Sequence, residues 1–216
     1  KYSSPRCGKN GYWNDFVPIL KYDDIKSYVK SIQNYIDVGQ LKSPAELYYP
    51  VRLKSAGENS LENLELSGVN HIELRMFDLN PLSQVGIMIE DLQFVHCFLI
   101  FLLNTKNTEW NDFEQMQAIK NAKNAALFDD EDIWIETDWY ERKNIKNAAL
   151  EILVEMEKYF GNESLSYAQS SIQFQKRKIL EKGQRYADRI KEKFSENNVE
   201  KGLELARGYA RQILEY

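Results

Sequence analysis

His71-Ile72-Glu73-Leu74-Arg75-Met76 alternates polar and apolar residues, the period of a half-buried β-strand. That period places His71, Glu73 and Arg75 on one face and Ile72, Leu74 and Met76 on the other. A carboxylate and a guanidinium two residues apart on one face can hold a metal ion and an anion side by side. Carboxylate oxygen suits a hard cation, and the planar fork of an arginine suits a phosphoryl group. Asp78-Leu79-Asn80-Pro81 then turns the chain, with Gly86 beyond. The same residues allow a plainer reading, a surface strand with an ordinary ion pair that contributes little.

Other chemistries find less support. The cysteines are Cys7 and Cys97 alone, so there is neither a disulfide framework nor a Cys-based zinc motif. Cys97 stands in an apolar run and reads as a small core residue; no histidine near Cys7 pairs with it as in a cysteine nucleophile. The acidic run Asp129-Asp130-Glu131-Asp132 lacks a fixed ligand spacing and reads as a solvated turn. His71 has no evident partner and reads as structural. A formal net charge of -5 argues against a nucleic-acid-binding surface.

Three blocks in order carry a family resemblance. Ser4-Pro5-Arg6-Cys7, followed by Gly11-Tyr12-Trp13-Asn14, is similar to the pattern S-L-R-M-S-D-x-G-Y-x-N. Glu46-Leu47-Tyr48-Tyr49-Pro50-Val51-Arg52 is similar to E-L-Y-A-P-I-R. Ile72-Glu73-Leu74-Arg75 through Asp78-Leu79-Asn80-Pro81 and Gly86 is similar to E-x-R-S-x-D-x-N-P-F-x-P-x-G. Together they resemble the bacterial glutamate–cysteine ligases. The matched blocks occupy the first ninety or so residues, and the helical remainder resembles the family only loosely.

The resemblance implies an ATP-dependent ligase that joins the side-chain carboxylate of L-glutamate to L-cysteine through a γ-glutamyl phosphate, the first step of glutathione biosynthesis. It implies ATP and Mg²⁺ as cofactors, with Glu73 as a Mg²⁺ ligand and Arg75 and Arg6 on the transferred phosphoryl group. Tyr12 and Tyr48 match tyrosines lining the cysteine pocket, although either could equally serve packing, and Arg52 matches a further substrate-site arginine. Asp78 and Asn80 are expected to fix the turn by side-chain-to-backbone hydrogen bonds. Departures from the pattern are Leu82 for Phe, Gln84 for Pro, Met76 for a small residue and Cys7-Gly8 for Met-Ser. They leave the charged groups intact and leave the amine substrate open. Two other readings stand beside this one: a non-catalytic helical interaction module, and a related carboxylate–amine ligase with another amine.

The elements that must position these residues follow from pattern. Residues 23–38 read as a helix with the stripe Ile25, Tyr28, Val29, Ile32, Tyr35 and Ile36, capped by Asp23 or Asp24 and ended by Gly39. Residues 48–53 read as a strand, with Pro50 at an edge or bulge, and residues 60–68 as a short helix. Residues 92–104 are apolar nearly all round and predict a buried helix, since a bilayer span needs roughly 20 residues. Residues 109–127 predict an amphipathic helix burying Trp110, Phe113, Met116 and Ile119, and residues 141–160 one burying Ile145, Ala149, Ile152, Met156 and Tyr159. The stretch 164–216 predicts two helices broken near 195–198.

The expected fold class is α+β. Through the resemblance it is part of a glutamine-synthetase-like antiparallel sheet funnel, followed by a mostly helical C-terminal region. Residues 1–88 are expected to form a partial catalytic sheet region, with 89–216 packed on it as a helical region. The chain opens on Lys1 almost directly at a site motif, which reads as the later part of a longer chain. The resemblance implies that the adenine-binding surface, most of the acidic cluster for the other Mg²⁺ ions and much of the glutamate site come from earlier sequence; no Gly-rich phosphate loop of the G-x-x-x-x-G-K type replaces them here, so this portion alone is expected to be inactive. A cytoplasmic location is expected, with small-molecule substrates and neither nucleic-acid nor membrane partners.

Overall fold

A computed structural model describes residues 4–7, 11–127, 133–137, 141–161, 165–194 and 198–214. The acidic run 129–132 lies outside them. The described residues are mostly helical, with two small two-stranded sheets. No described helix is long and apolar enough to cross a membrane. The chain divides into two compact units, Lys1–Asp78 with Glu109–Arg142, and Leu79–Thr108 with Lys143–Tyr216.

In the first unit, α1 (Ile25–Asp37) starts where the Asp24 carboxylate accepts the Ser27 backbone N–H, satisfying one of the donors a helix start leaves free. It ends at Gly39, whose φ of 77° suits a residue without a Cβ. Its stripe Tyr28, Val29 and Ile32 packs with Leu20, Leu41, Leu47 and Leu64 into one apolar core. Leu64 comes from α2 (Leu61–Ser67), which begins at a Ser60 cap and ends at Gly68. Between these helices lie a short 3₁₀ turn, Pro44–Glu46, and β1 (Val51–Lys54). β1 pairs antiparallel with β2 (His71–Leu74), with Val51 opposite Leu74, Arg52 opposite Glu73, Leu53 opposite Ile72 and Lys54 opposite His71.

The helix α4 (Asp112–Leu127) departs from expectation. Trp110, Phe113 and Met116 are exposed, whereas Gln115 and Ile119 are buried. Gln115 replaces an apolar contact with a pair of hydrogen bonds: its Oε1 accepts the Leu20 N–H at 2.6 Å and its Nε2 donates to the Leu20 carbonyl at 2.8 Å. An amide that satisfies both main-chain groups of an extended residue can be buried without penalty, and hydrophobic periodicity does not register that. β3 (Trp134–Glu136) follows, and β4 (Arg142–Asn144) leads the chain into α5 (Ile145–Phe160).

In the second unit, α3 (Ile89–Asn104), α5 and α6 (Ala168–Leu180) share a core of Cys97, Phe101, Leu153, Met156, Phe160, Ala168 and Ile172. Cys97 is the small core residue its surroundings suggested. Three expectations are corrected here. α3 is not buried all round: it buries Asp91, Cys97 and Phe101, while Leu103 is 84% exposed. Its partners α5 and α6 cover one side, and an all-apolar helix carries no phase to say which. α5 buries Leu153, Met156 and Phe160, turning Ile152 and Tyr159 outward. The C-terminal stretch holds three helices rather than two, because α6 and α7 (Tyr186–Phe194) are separated at Gly183, whose φ is 79°. α8 (Asn198–Leu214) closes the described chain.

Candidate functional site

The β1–β2 register determines which charges meet. Directly opposed residues of an antiparallel pair project to one face, and their i+2 neighbours project with them. Arg52 and Glu73 are opposed, so Lys54 and Arg75 join them on that face. The ladder extends beyond both strands, since the Arg75 N–H donates to the Pro50 carbonyl and the Asn70 N–H to the Lys54 carbonyl, both at 2.8 Å. Glu73 Oε2 lies 3.4 Å from Lys54 Nζ and 3.9 Å from Arg52 Nη1, and Glu73 Oε1 lies 3.9 Å from Arg75 Nε. Three cations thus face one carboxylate. Oε2 is nevertheless enclosed without a donor in hydrogen-bonding geometry. Burial, and then the neighbouring Arg75, hold the Arg52 guanidinium below its ordinary pKa, with Glu73 acting in the opposite sense.

The first loop is tied to this strand by main-chain contacts. Arg6 Nε donates to the Arg75 carbonyl at 2.5 Å, and the Arg6 N–H donates to Asp78 Oδ1 at 2.6 Å. Asp78 therefore anchors the distant loop instead of its own turn. Asn80 does fix the turn, its Oδ1 accepting the Leu82 N–H at 3.0 Å. Arg6 stacks over the Tyr12 ring at 5.1 Å, Tyr12 meets Tyr48 at 5.5 Å, and Arg75 stacks over Tyr48 at 5.5 Å. This chain of cation–π and aromatic contacts lines a cavity with Cys7, Trp13, Tyr49 and Pro50. At about 20 Å³ the cavity has room for a single water molecule. Burial pushes the Cys7 thiol up and the Tyr49 hydroxyl up to about 12, so both stay protonated near neutrality.

Of the residues singled out by sequence, Arg6, Arg75, Tyr12 and Tyr48 come together around one cavity. Glu73 stands beside it through Arg75. Arg52 does not line the cavity: its side chain is buried, with Nη2 donating to the Pro44 carbonyl at 2.9 Å. His71 is exposed, with Nδ1 3.1 Å from Asn70 Oδ1. Sequence reasoning missed Lys54, which the period-two step from Arg52 could have found. It also passed over Asn14 as a clamp. Asn14 Nδ2 donates to the Glu46 carbonyl and Asn14 Oδ1 accepts the Tyr48 N–H, both at 2.8 Å, joining the two tyrosine-bearing segments. Asn14→Ala removes both bonds and is expected to cost about 2 kcal/mol, measured as a shift in the urea midpoint at unchanged m-value.

The chain superposes on the 2.0 Å crystal structure of glutamate–cysteine ligase from Francisella tularensis in complex with AMP, with a TM-score of 0.87 and 22% identity over 99% of this chain and 48% of that one. It superposes on a bifunctional glutathione synthetase from Pasteurella multocida with a TM-score of 0.79 and 21% identity over 98% of this chain and 27% of that one. At these identities the likeness is one of fold. The family model for glutamate-cysteine ligase matches residues 16–125, a stretch that contains Tyr48, Arg52, Glu73 and Arg75. The chain belongs to the glutamate–cysteine ligase family.

Among curated relatives, the glutathione biosynthesis bifunctional protein GshAB of Listeria welshimeri is 34% identical over 194 residues, 88% of this chain and 25% of that protein. That of Listeria monocytogenes serotype 4b is 38% identical over 125 residues, 57% of this chain and 16% of that protein. The chain therefore spans about a quarter or less of the length of these relatives.

Proposed function

We propose that this chain is the C-terminal portion of a cytoplasmic ligase that joins L-glutamate, through its side-chain carboxylate, to L-cysteine with conversion of ATP to ADP and phosphate. The observation that carries the reading is the approach of Arg6, from a loop 69 residues away, to the Arg75 main chain. A helical scaffold with an incidental ion pair gives no reason to bring two guanidiniums to one cavity between two tyrosines. In this reading Arg6 and Arg75 neutralise the phosphoryl group as it passes to the glutamate carboxylate, a reaction that needs positioning and charge more than covalent help. Tyr12 and Tyr48 part to admit the cysteine side chain between apolar ring faces. Arg52, buried away from the cavity, acts by holding the Glu73 end of the sheet. The two-stranded sheet is one piece of an antiparallel funnel completed by other strands of the full protein.

The residues fit Mg²⁺ in part. Glu73 Oε2, enclosed and without a hydrogen bond although Lys54 Nζ lies 3.4 Å away, offers one hard oxygen ligand. Among the described residues no cluster of three His, Cys, Asp or Glu side chains completes a shell, so the remaining ligands would have to be phosphate oxygens, water and carboxylates from elsewhere. When bound, Mg²⁺ supplies charge neutralisation at the transferring phosphoryl group. The likeness to a ligase solved with AMP supports a nucleotide as co-substrate.

The test is phosphate release from ATP by the full-length protein in the presence of Mg²⁺ and L-glutamate, with and without L-cysteine. Cysteine-dependent release is expected, and none from residues 1–216 alone. If cysteine fails but another small amine supports release, the chain belongs to a ligase of different amine choice. Lack of release with glutamate plus any small amine would overturn the reading.

A further inference from the structure

The charge balance around Glu73 has an unusual sign for a metal ligand. Arg52, Lys54 and Arg75 all lie within 3.4–3.9 Å of its carboxylate, leaving the cluster with two net positive charges. A free divalent cation approaching Oε2 meets that repulsion, which a partly enclosed site screens less than water does. Nucleotide phosphates reverse the balance, because they bring several negative charges with the metal. The three cations are not equivalent. Arg52 is pinned to the Pro44 carbonyl, and Arg75 is held at the Tyr48 ring with Nη1 3.5 Å from the Leu47 carbonyl. Lys54 ends in a compact ammonium on a flexible stem and sits nearest the enclosed oxygen.

We propose that Lys54 is a positioning residue that occupies Glu73 until nucleotide arrives, so that the divalent cation enters this site only together with nucleotide phosphates. The inference rests on the reading of Glu73 as a metal ligand. With metal–nucleotide bound, the ammonium swings from Oε2 toward phosphate oxygen. Without nucleotide it holds the carboxylate in its ligating position and keeps free metal off.

The experiment is Mn²⁺ binding to the full-length protein, followed by loss of the free-ion EPR signal, with Mn²⁺ alone and with Mn²⁺ plus ADP. The cation belonging to Glu73 is the one lost in Glu73→Gln. In the unsubstituted protein that cation should bind with ADP and not without it. Lys54→Met, which keeps the stem and removes the charge, should tighten nucleotide-free binding of that cation by about tenfold or more. The change should vanish in the Glu73→Gln background, and Lys54→Arg should restore the ADP requirement. Nucleotide-free affinity no tighter in Lys54→Met than in the unsubstituted protein would overturn the proposal while leaving Glu73 as a ligand. If Glu73→Gln leaves ADP-dependent Mn²⁺ binding unchanged, the metal role of Glu73 fails and the gating role of Lys54 falls with it.

Discussion

Arg75→Ala should lower cysteine-dependent phosphate release by the full-length protein about 10²–10³-fold, the usual cost of losing one preorganised charge-stabilising donor. The substitution is a clean one. The group that holds Arg6 is the Arg75 carbonyl, not its side chain, so the loop anchor survives. The Arg75 N–H bond to Pro50 survives too. What disappears is the guanidinium over Tyr48 and beside Glu73, and far-ultraviolet circular dichroism should not change. On the proposed reading the interaction strengthens as charge moves onto the transferring oxygen, so the loss should fall on kcat more than on the KM for glutamate. Arg75→Lys should recover only part of the rate, since an ammonium cannot present two parallel donors. Wild-type turnover in Arg75→Ala would remove this residue from the site.

The strand bearing Glu73 was legible from its alternation, although it ends at Leu74 and two residues of its expected apolar face, Ile72 and Met76, are exposed. The caps of α1 and α2 were legible for a similar reason: Asp24, Gly39, Ser60 and Gly68 act within one turn of their own positions. The pairing of Arg52 with Glu73 was not, because a register between strands seventeen residues apart is decided by the core behind them, where Leu47, Leu64 and Tyr28 meet. The family resemblance supplied Arg52 as a substrate contact, and the structure shows a buried side chain hydrogen-bonded to Pro44. The family motifs brought Arg6 and Tyr12 into consideration, although both lie before the stretch that the family model matches. Nothing short of coordinates shows that Asp78 reaches back to the Arg6 main chain.

The helical unit shows the converse failure. Apolar content reported that α3 and α5 exist without reporting their phase. In α5, Ile152 and Leu153 are adjacent and equally apolar, and packing against α6 selects Leu153. Polar residues buried with full hydrogen bonding are invisible to the same reading, and Gln115 in the first unit and Asp91 in the second are both of this kind.

Asp91→Ala should destabilise the protein by about 3 kcal/mol at pH 7, as breaking a buried ion pair from one side does. Asp91 lies in the first turn of α3, where a negative charge also meets the helix N-terminus favourably. Its Oδ1 accepts from Lys178 Nζ at 2.7 Å and Gln175 Nε2 at 2.9 Å, and its Oδ2 accepts from the Tyr186 hydroxyl at 2.6 Å. One carboxylate therefore ties α3 to α6 and α7. The Lys178 ammonium also lies 4.4 Å from the Tyr186 ring centre and 4.9 Å from that of Phe174; without Asp91 it loses its counter-ion in a largely buried setting. Burial pushes the Asp91 carboxyl up, but the Lys178, Tyr186 and Gln175 donors outweigh it and hold the group below the ordinary carboxylate range. Burial and the Asp91 charge together raise the Tyr186 hydroxyl well above its own.

The sign of the pH dependence follows from the depressed carboxyl. A group whose pKa is lower folded than unfolded stabilises above its unfolded value of about 3.9 and loses that stabilisation as pH falls through the folded one. The melting-temperature gap between the unsubstituted protein and Asp91→Ala should thus be widest near neutrality, on the order of 10 °C for a unit of this size, and should narrow as pH falls through the depressed folded value of the carboxyl. Asp91→Asn keeps the shape and one acceptor oxygen, so it should lie between the two at pH 7. A gap that stays constant from pH 7 to pH 3 would mean that Asp91 acts through packing, and that the carboxylate is not what joins the three helices.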